Sequence, residues 1–146
     1  MSLADEIGPG LAGLEQLNAL MASGQRPGIA VSLDFDLVEV ADVFAGIPGD
    51  HAYNPIGMIH GGYAATLLDS CCGCAVHSKL AADQAYTTLE LKVAYHKALT
   101  RDSGRVRAEG RVVTIGRRAA FAEGRLVGED GKLYASATST LLVIQR

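Results

Sequence analysis

The chain has 146 residues, 49% of them apolar and 20% charged, so it can bury one hydrophobic core and fits one domain, residues 1–146. Its net charge of -3, with basic residues spread along the chain, gives no electrostatic case for binding nucleic acid or an acidic membrane surface. No apolar run reaches the roughly 18 residues of a membrane span, and the N-terminus lacks a basic segment followed by an apolar one, so we expect a cytoplasmic protein.

The first predicted element is an amphipathic helix over Leu11–Ala22, where leucines recur at helical spacing. Gly24 and Pro27 end this pattern, and we assign residues 1–27 to an N-terminal helical extension. The following residues are rich in β-formers and predict two strands, over residues 30–37 and 38–46.

Glycines and prolines between residues 46 and 57 then interrupt regular structure, and Gly61-Gly62 opens an apolar helix that is predicted to last to about Ala82. Four strands are predicted after it, with an Asp-Gly hairpin signal before the last, over residues 86–96, 104–114, 118–128 and 132–143. The order predicts an α+β fold in which an antiparallel sheet, its last four strands in meander-like succession, wraps around one long central helix.

Several residue types invite a metal or cofactor interpretation that their context does not support. Cys71, Cys72 and Cys74 lie in the predicted central helix without a second ligand pair, and we interpret them as reduced core residues. The G-x-G-x-x-G match at residues 8–13 has no strand before it. We therefore expect no metal site and no cofactor.

The run from Asn54 to Asp69, which reads NPIGMIHGGYAATLLD, is the most informative in the chain. With the element order, it resembles the hotdog-fold acyl-CoA thioesterases of the PaaI type, over roughly residues 28–144. The run over residues 87–95 resembles the strand that follows the helix in that family. The resemblance implies a hotdog fold, with the N-terminal helix as an addition outside the match, and hydrolysis of acyl-CoA to free acid and CoA.

The residues themselves indicate how such hydrolysis would proceed. A glycine at a helix N-terminus offers a free backbone N–H to a developing oxyanion, and we select Gly61 for this role. Asp69 supplies the carboxylate, as general base or as nucleophile. Eight residues of helix separate the two by about 12 Å, so the partner of each must come from another subunit. A two-fold dimer with antiparallel helices brings them together twice.

The resemblance implies further roles. Asn54 would orient the attacking water or the thioester, and His60 would hold the loop or polarise the carbonyl. Thr88 would help to hold water near the acid, although strand alternation leaves Thr87 open as the residue that faces the site. Asn54 as a simple turn residue before Pro55 is the alternative interpretation.

Substrate contacts follow from the same picture. Arg117 and Arg118, at a strand turn, are candidates to meet the phosphates of CoA, with a solvated hairpin as the alternative. A small, medium-chain or aryl acyl group would lie between subunits. The candidate contacts for the substrate near the helix start are Met58, Gly62 and Tyr63, with Phe44 and Tyr53 as further candidates for the acyl pocket.

Two other functions remain in view: a non-catalytic acyl-CoA-binding hotdog module, and a hotdog dehydratase or hydratase acting on acyl thioesters. The acid at position 69 argues against the first, and the absence of a His-Phe-Pro segment argues against the second. The expected assembly is a homodimer with shared active sites, and pairs of dimers are expected to form a homotetramer.

Overall fold

The computed structural model describes residues 2–39 and 42–146, and it begins with three short helices. These are α1 (Leu3–Ile7), α2 (Gly13–Ser23) and α3 (Gly28–Leu33). Helix α2 confirms the predicted N-terminal helix, and it ends as expected at Gly24, whose φ of 70° is the left-handed conformation that glycine adopts easily.

Helix α3 corrects the first predicted strand, because residues 30–33 are helical and β1 (Phe35–Glu39) starts only after them. The β-forming residues Ile29 and Val31 are more than half exposed in α3, whereas Ala30 is buried against the core. Packing at this one position therefore outweighs local β preference. The second predicted strand, 38–46, survives as β2 (Val43–Gly46), and its residues 40 and 41 lie outside the described part of the chain.

The central helix α4 covers Gly61–His77, five residues shorter than predicted. The chain leaves the helix at Ser78, and the carbonyl oxygen of Leu80 then accepts a hydrogen bond of 3.0 Å from the Gly13 N–H. Helix α2 thus docks on the turn that follows α4.

The remaining strands are β3 (Gln84–Tyr95), β4 (Val106–Ile115), β5 (Ala119–Gly128) and β6 (Leu133–Gln145). All pairs are antiparallel, and the sheet order is β1-β2-β4-β5-β6-β3. The meander expectation therefore holds for β4, β5 and β6 only. Strand β3 does not pair with β4: it lies on the far side of β6, because the segment over residues 96–105 crosses to the other part of the sheet.

The sheet wraps around α4, as the sequence predicted. Cys71 and Cys72 are fully buried free thiols at its centre, which confirms their assignment to the core. Strand β4 approaches α4 so closely that a Cβ atom at Gly110 would lie 2.2 Å from the carbonyl oxygen of Cys71. A side chain there would force the sheet away from the helix, so this glycine permits the tight wrapping.

Candidate active site

The start of α4 is fixed by two side chains. The Nδ1 atom of His60, the N-cap residue, accepts a hydrogen bond of 2.8 Å from the Gly62 N–H. At the other end of the same peptide unit, the Tyr95 hydroxyl donates to the Gly61 carbonyl oxygen at 2.7 Å. The Gly61–Gly62 peptide is therefore held at both of its polar atoms. This geometry accounts for His60 as a loop-holding residue.

The N–H of Gly61 itself makes no hydrogen bond to any residue in 2–39 or 42–146. It lies in the first turn of α4, where backbone donors have no intrahelical acceptor and the helix dipole favours negative charge. A Cβ atom at Gly61 would come within 2.9 Å of the Tyr95 hydroxyl, so a side chain would disturb this arrangement. The geometry thus suits Gly61 to stabilise an oxyanion.

Gly61 opens onto a cavity of about 310 Å³, which we call the Gly61 cavity. Tyr95, His96 and Lys97, from the end of β3 and just beyond it, form one side of it. Lys97 lies over the Tyr134 ring, its amine 5.4 Å from the ring centre. Sequence reasoning missed these three residues. Tyr95 ends the run over residues 87–95, His96 and Lys97 directly follow it, and only the folded sheet brings the three opposite the start of α4.

Met58 also lines the Gly61 cavity, and Asn54 holds the loop that presents it. The Asn54 side-chain oxygen accepts hydrogen bonds from the Ile56 N–H at 3.1 Å and the Met58 N–H at 3.0 Å. The oxygen of Asn54 is therefore engaged in its own turn, and its amide group is left for contacts with a ligand.

Asp69 lies two turns along α4, half-buried, and one of its oxygens is held by β3. The Thr88 hydroxyl donates to Asp69 Oδ1 at 3.0 Å, whereas Thr87 is exposed. Of Thr87 and Thr88, between which the sequence could not choose, Thr88 is therefore the neighbour of the acid. Alternation could not decide it, since the pairing of β3 with β6 shifts register between Thr88 and Glu90. The Oδ2 atom of Asp69 accepts no hydrogen bond from the described residues.

Asp69 opens onto a different cavity, of about 380 Å³, which we call the Asp69 cavity. Gly61 does not line it, and Asp69 does not line the Gly61 cavity. Eight residues of α4 separate the two by about 12 Å along the helix, so a single chain presents Gly61 and Asp69 in separate places. Of the pocket residues predicted from the sequence, Phe44 lines the Asp69 cavity.

Tyr63 lies in the core rather than beside either cavity. Its side chain is 2% exposed, its hydroxyl has no hydrogen-bond partner among the described residues, and a Cβ atom at Gly46 would collide with it. Tyr53 is occupied elsewhere, since its hydroxyl accepts from the N–H and the guanidinium of Arg101. Both tyrosines instead line a third cavity, of about 380 Å³, together with His60 and Gly62.

Arg117 and Arg118 are exposed in the turn between β4 and β5, beside the last residues of β6. The start of β5, just after this turn, pairs with the end of β6, which in turn pairs with the beginning of β3 near Thr88. The Gly61 cavity lies at the opposite end of β3, near Tyr95. The two arginines line neither cavity within one chain.

In the described ranges, 2–39 and 42–146, no three His, Cys, Asp or Glu side chains cluster so as to hold a metal ion. Among those same residues, no helix combines the length and the apolar character needed to cross a membrane.

Comparison with known proteins points to one family. The chain matches the family model of the thioesterase superfamily over residues 56–135, which include both Gly61 and Asp69. It is 31% identical over 133 residues to a Pseudomonas aeruginosa protein whose name marks it as a candidate esterase, covering 90% of this chain and 89% of that protein.

Two solved structures are similar over most of their length. A Bacillus halodurans protein solved with CoA has a TM-score of 0.75 and 26% identity, covering 91% of this chain and 86% of that one. A mutant of the phenylacetic acid degradation protein PaaI from Thermus thermophilus has a TM-score of 0.71 and 27% identity, covering 80% of this chain and 98% of that one.

Proposed function

The chain belongs to the thioesterase superfamily and is a thioester hydrolase, and we propose that it hydrolyses acyl-CoA at sites shared between two copies of the chain. One observation carries the proposal: an acid held by Thr88 and the Gly61 N–H, which has no partner in the described part of the chain, lie on one helix but open onto different cavities. Family membership also favours hydrolysis over the dehydratase and the non-catalytic module.

In each site, Asp69 of one subunit and Gly61 of the other act on the same thioester. With Asp69 as general base, its Oδ2 atom takes a proton from water while the water oxygen attacks the carbonyl carbon. The resulting oxyanion accepts a hydrogen bond from the Gly61 N–H. The C–S bond then breaks, the CoA sulfur takes the proton, and the free acid leaves. With Asp69 as nucleophile, a carboxylate oxygen attacks the carbonyl carbon, the C–S bond breaks, CoA leaves as its thiolate, and a mixed anhydride is formed. Water then hydrolyses the anhydride to the free acid and the Asp69 carboxylate, and the proton released from water goes to the CoA thiolate.

The open edge of the sheet supports a dimer. Strand β3 has twelve residues, and within the described part of the chain it pairs with β6 on one side only; Tyr95 at its end is 56% exposed. A long unpaired edge with apolar side chains is a natural surface for a second copy of the chain. Pairing of such dimers into a homotetramer, and a cytoplasmic location, remain predictions.

The other roles are weaker parts of the same proposal. His60 and Tyr95 position the oxyanion donor, Asn54 shapes the loop and offers its amide to the substrate, and Met58 and Gly62 contact the substrate near the carbonyl. Lys97, Arg117 and Arg118 are our candidates for contacts with the phosphates of CoA. The similar Bacillus halodurans protein was solved with CoA, which supports this class of substrate.

The proposal is tested by thiol release from a panel of short, medium and aryl acyl-CoAs. We expect Asp69→Asn to lower kcat by at least about 100-fold, since it removes the base or nucleophile while preserving shape. Equal rates in variant and wild type would exclude Asp69 from the chemistry.

A mixing experiment tests the shared site itself. Asp69→Asn and Gly61→Ala are each expected to be nearly inactive, but a dimer with one subunit of each kind contains one site with both native residues. After denaturation and refolding together in equal amounts, random pairing should restore about one quarter of wild-type activity. Failure to restore activity, with mixed dimers shown to be present, would contradict a site shared between subunits.

A further inference from the structure

The Asp69 cavity has a wall that the family match does not include. Besides α4, β1 and β2, it is lined by the end of α2, the loop after it and the start of α3. We define residues 20–30 as the N-terminal wall. The sequence predicts no role in activity for this part of the chain, yet the structure places it in the same cavity as the acid.

We propose that the Asp69 cavity holds the acyl group of the thioester, and that the N-terminal wall selects uncharged, apolar acyl groups such as a medium-length chain or an aryl ring. The proposal rests on the proposed function, and it adds the substrate class and the element that selects it. The cavity volume of about 380 Å³ falls within the range of small-molecule pockets.

The cavity surface is mainly hydrocarbon. Its large apolar side chains come from both the wall and the adjoining strands, and they are Leu20, Met21, Ile29, Phe35, Leu37 and Phe44. Burying one methylene group of an acyl chain against such a surface is worth about fourfold in affinity. A long or aromatic acyl group therefore gains far more here than an acetyl group.

The charges around the cavity disfavour an anionic acyl group. Among the described residues, Arg26 is the one cation in the lining, and it is held by Asp34 at 3.1 Å and by Asp36 at 3.5 Å. Asp36 and Asp69 also line the cavity, so one positive and two negative side chains give this lining a net charge of −1. A dicarboxylic acyl group would therefore meet net negative charge.

The floor of the cavity is uncharged. Cys74 and Tyr86 form it together with Ser70. Burial raises the pKa of the Cys74 thiol to about 12, and the nearby carboxylates of Asp69 and Asp42 add to the shift. Burial also raises the pKa of the Tyr86 hydroxyl, again with a contribution from Asp69. Both groups therefore stay neutral beside the acid near neutral pH.

The wall is anchored on the same helix that carries Asp69. The Gln16 side chain, 5% exposed, bonds to His77 at 2.9 Å and to the Gly8 carbonyl oxygen at 3.2 Å. Gly13 packs so tightly that a Cβ atom there would lie 1.7 Å from the His77 carbonyl oxygen. These contacts fix α2 on α4, so the wall and the acid keep a defined separation.

The test narrows the cavity from the wall side with Met21→Trp. The matched control is Leu14→Trp, two turns earlier on α2, at a residue exposed to the same degree (45% against 42%) that does not line the cavity. Ile29→Trp serves as a second narrowing variant should Met21→Trp fail to fold. Turnover is measured with acetyl-, octanoyl-, phenylacetyl- and succinyl-CoA, and binding with the thioethers S-ethyl-CoA and S-octyl-CoA by calorimetry.

We expect wild type to prefer octanoyl- and phenylacetyl-CoA over acetyl- and succinyl-CoA. Met21→Trp should lower kcat/KM for octanoyl-CoA by about tenfold or more while acetyl-CoA stays within about twofold, and Leu14→Trp should match wild type. Equal loss for acetyl and octanoyl substrates, or the same profile in Leu14→Trp, would overturn the proposal.

The thioethers separate this proposal from the proposed function, because they bind without turnover. If S-octyl-CoA binds more tightly than S-ethyl-CoA and Met21→Trp loses this preference, the acyl cavity is supported. That support holds even if no acyl-CoA is hydrolysed, because the absence of hydrolysis would overturn only the proposed function. The absence of any preference in wild type overturns the acyl cavity whatever the turnover data show.

Discussion

The Thr88 hydroxyl donates to Oδ1 of Asp69 at 3.0 Å and so restricts the rotation of the carboxylate. Under the proposed function, this contact leaves Oδ2 for the reacting proton. Without this donor, the carboxylate would sample several rotamers in its half-buried position, and fewer of them would suit the attack.

We therefore predict that Thr88→Val lowers kcat by about tenfold, the cost of one hydrogen bond to a charged group, with little change in KM. Valine keeps the shape and the strand preference of threonine but cannot donate. Thr87→Val is the matched control, because Thr87 is exposed on the same strand and should tolerate the change. The test is to measure kcat and KM of both variants on a good acyl-CoA substrate. An equal effect at both positions would contradict the assignment of Thr88 as the residue that positions Asp69.

The elements of the fold differ in how far the sequence predicts them. Strands β4 to β6 follow from alternation and from the Asp130-Gly131 turn, and the start of α4 from Gly61-Gly62, because these signals are local. The helical residues 30–33, the position of β3 beside β6, and the N-terminal wall depend on contacts between distant parts of the chain. Gly61 and Asp69 could be selected from local sequence signals, whereas the walls of their cavities depend on contacts between distant parts of the chain.

Helix α2 offers a prediction about pH. His77, at the end of α4, bonds to Gln16 of α2, and burial lowers the pKa of its ring, with Arg146 lowering it further and Asp5 opposing both. The folded state therefore binds this proton less readily than the unfolded state, where the pKa is about 6.5. The stabilising contribution is complete above about pH 6.5, and it is lost as pH falls from there through the lower pKa of the folded state.

We expect acidification from pH 8 to pH 5 to lower the melting temperature and to speed amide exchange in α2 before α4 responds. His77→Gln removes the titrating ring. If the melting temperature of wild type falls more steeply with acidification than that of this variant, the difference is the contribution of His77. If the two proteins lose stability in parallel, other groups cause the loss, and His77 does not control the docking of α2.

At the scale of the whole molecule, symmetry fixes which residues meet at the dimer axis. Suppose that Asp69 of one subunit faces Gly61 of the other along antiparallel helices. The residue numbers of any two facing positions on α4 then add up to 130, so residue 65 faces residue 65 of the other subunit. That residue is Ala65, half-buried in the single chain, with Gly62, Thr66 and Asp69 on the same partly covered face. Small side chains at this crossing allow two helices to approach closely.

We therefore predict that Ala65→Glu, which places two like charges across the axis, converts the protein to monomers and reduces acyl-CoA hydrolysis by at least about 100-fold. The loss of activity should follow the loss of the dimer, because each monomer keeps both catalytic residues but no complete site. Phe121→Lys is the control: this exposed residue on β5 lies outside α4, so the variant should keep active dimers even if it abolishes a tetramer. The test is to measure sedimentation and acyl-CoA hydrolysis at the same protein concentrations. A fully active Ala65→Glu monomer would show that one chain is sufficient for hydrolysis.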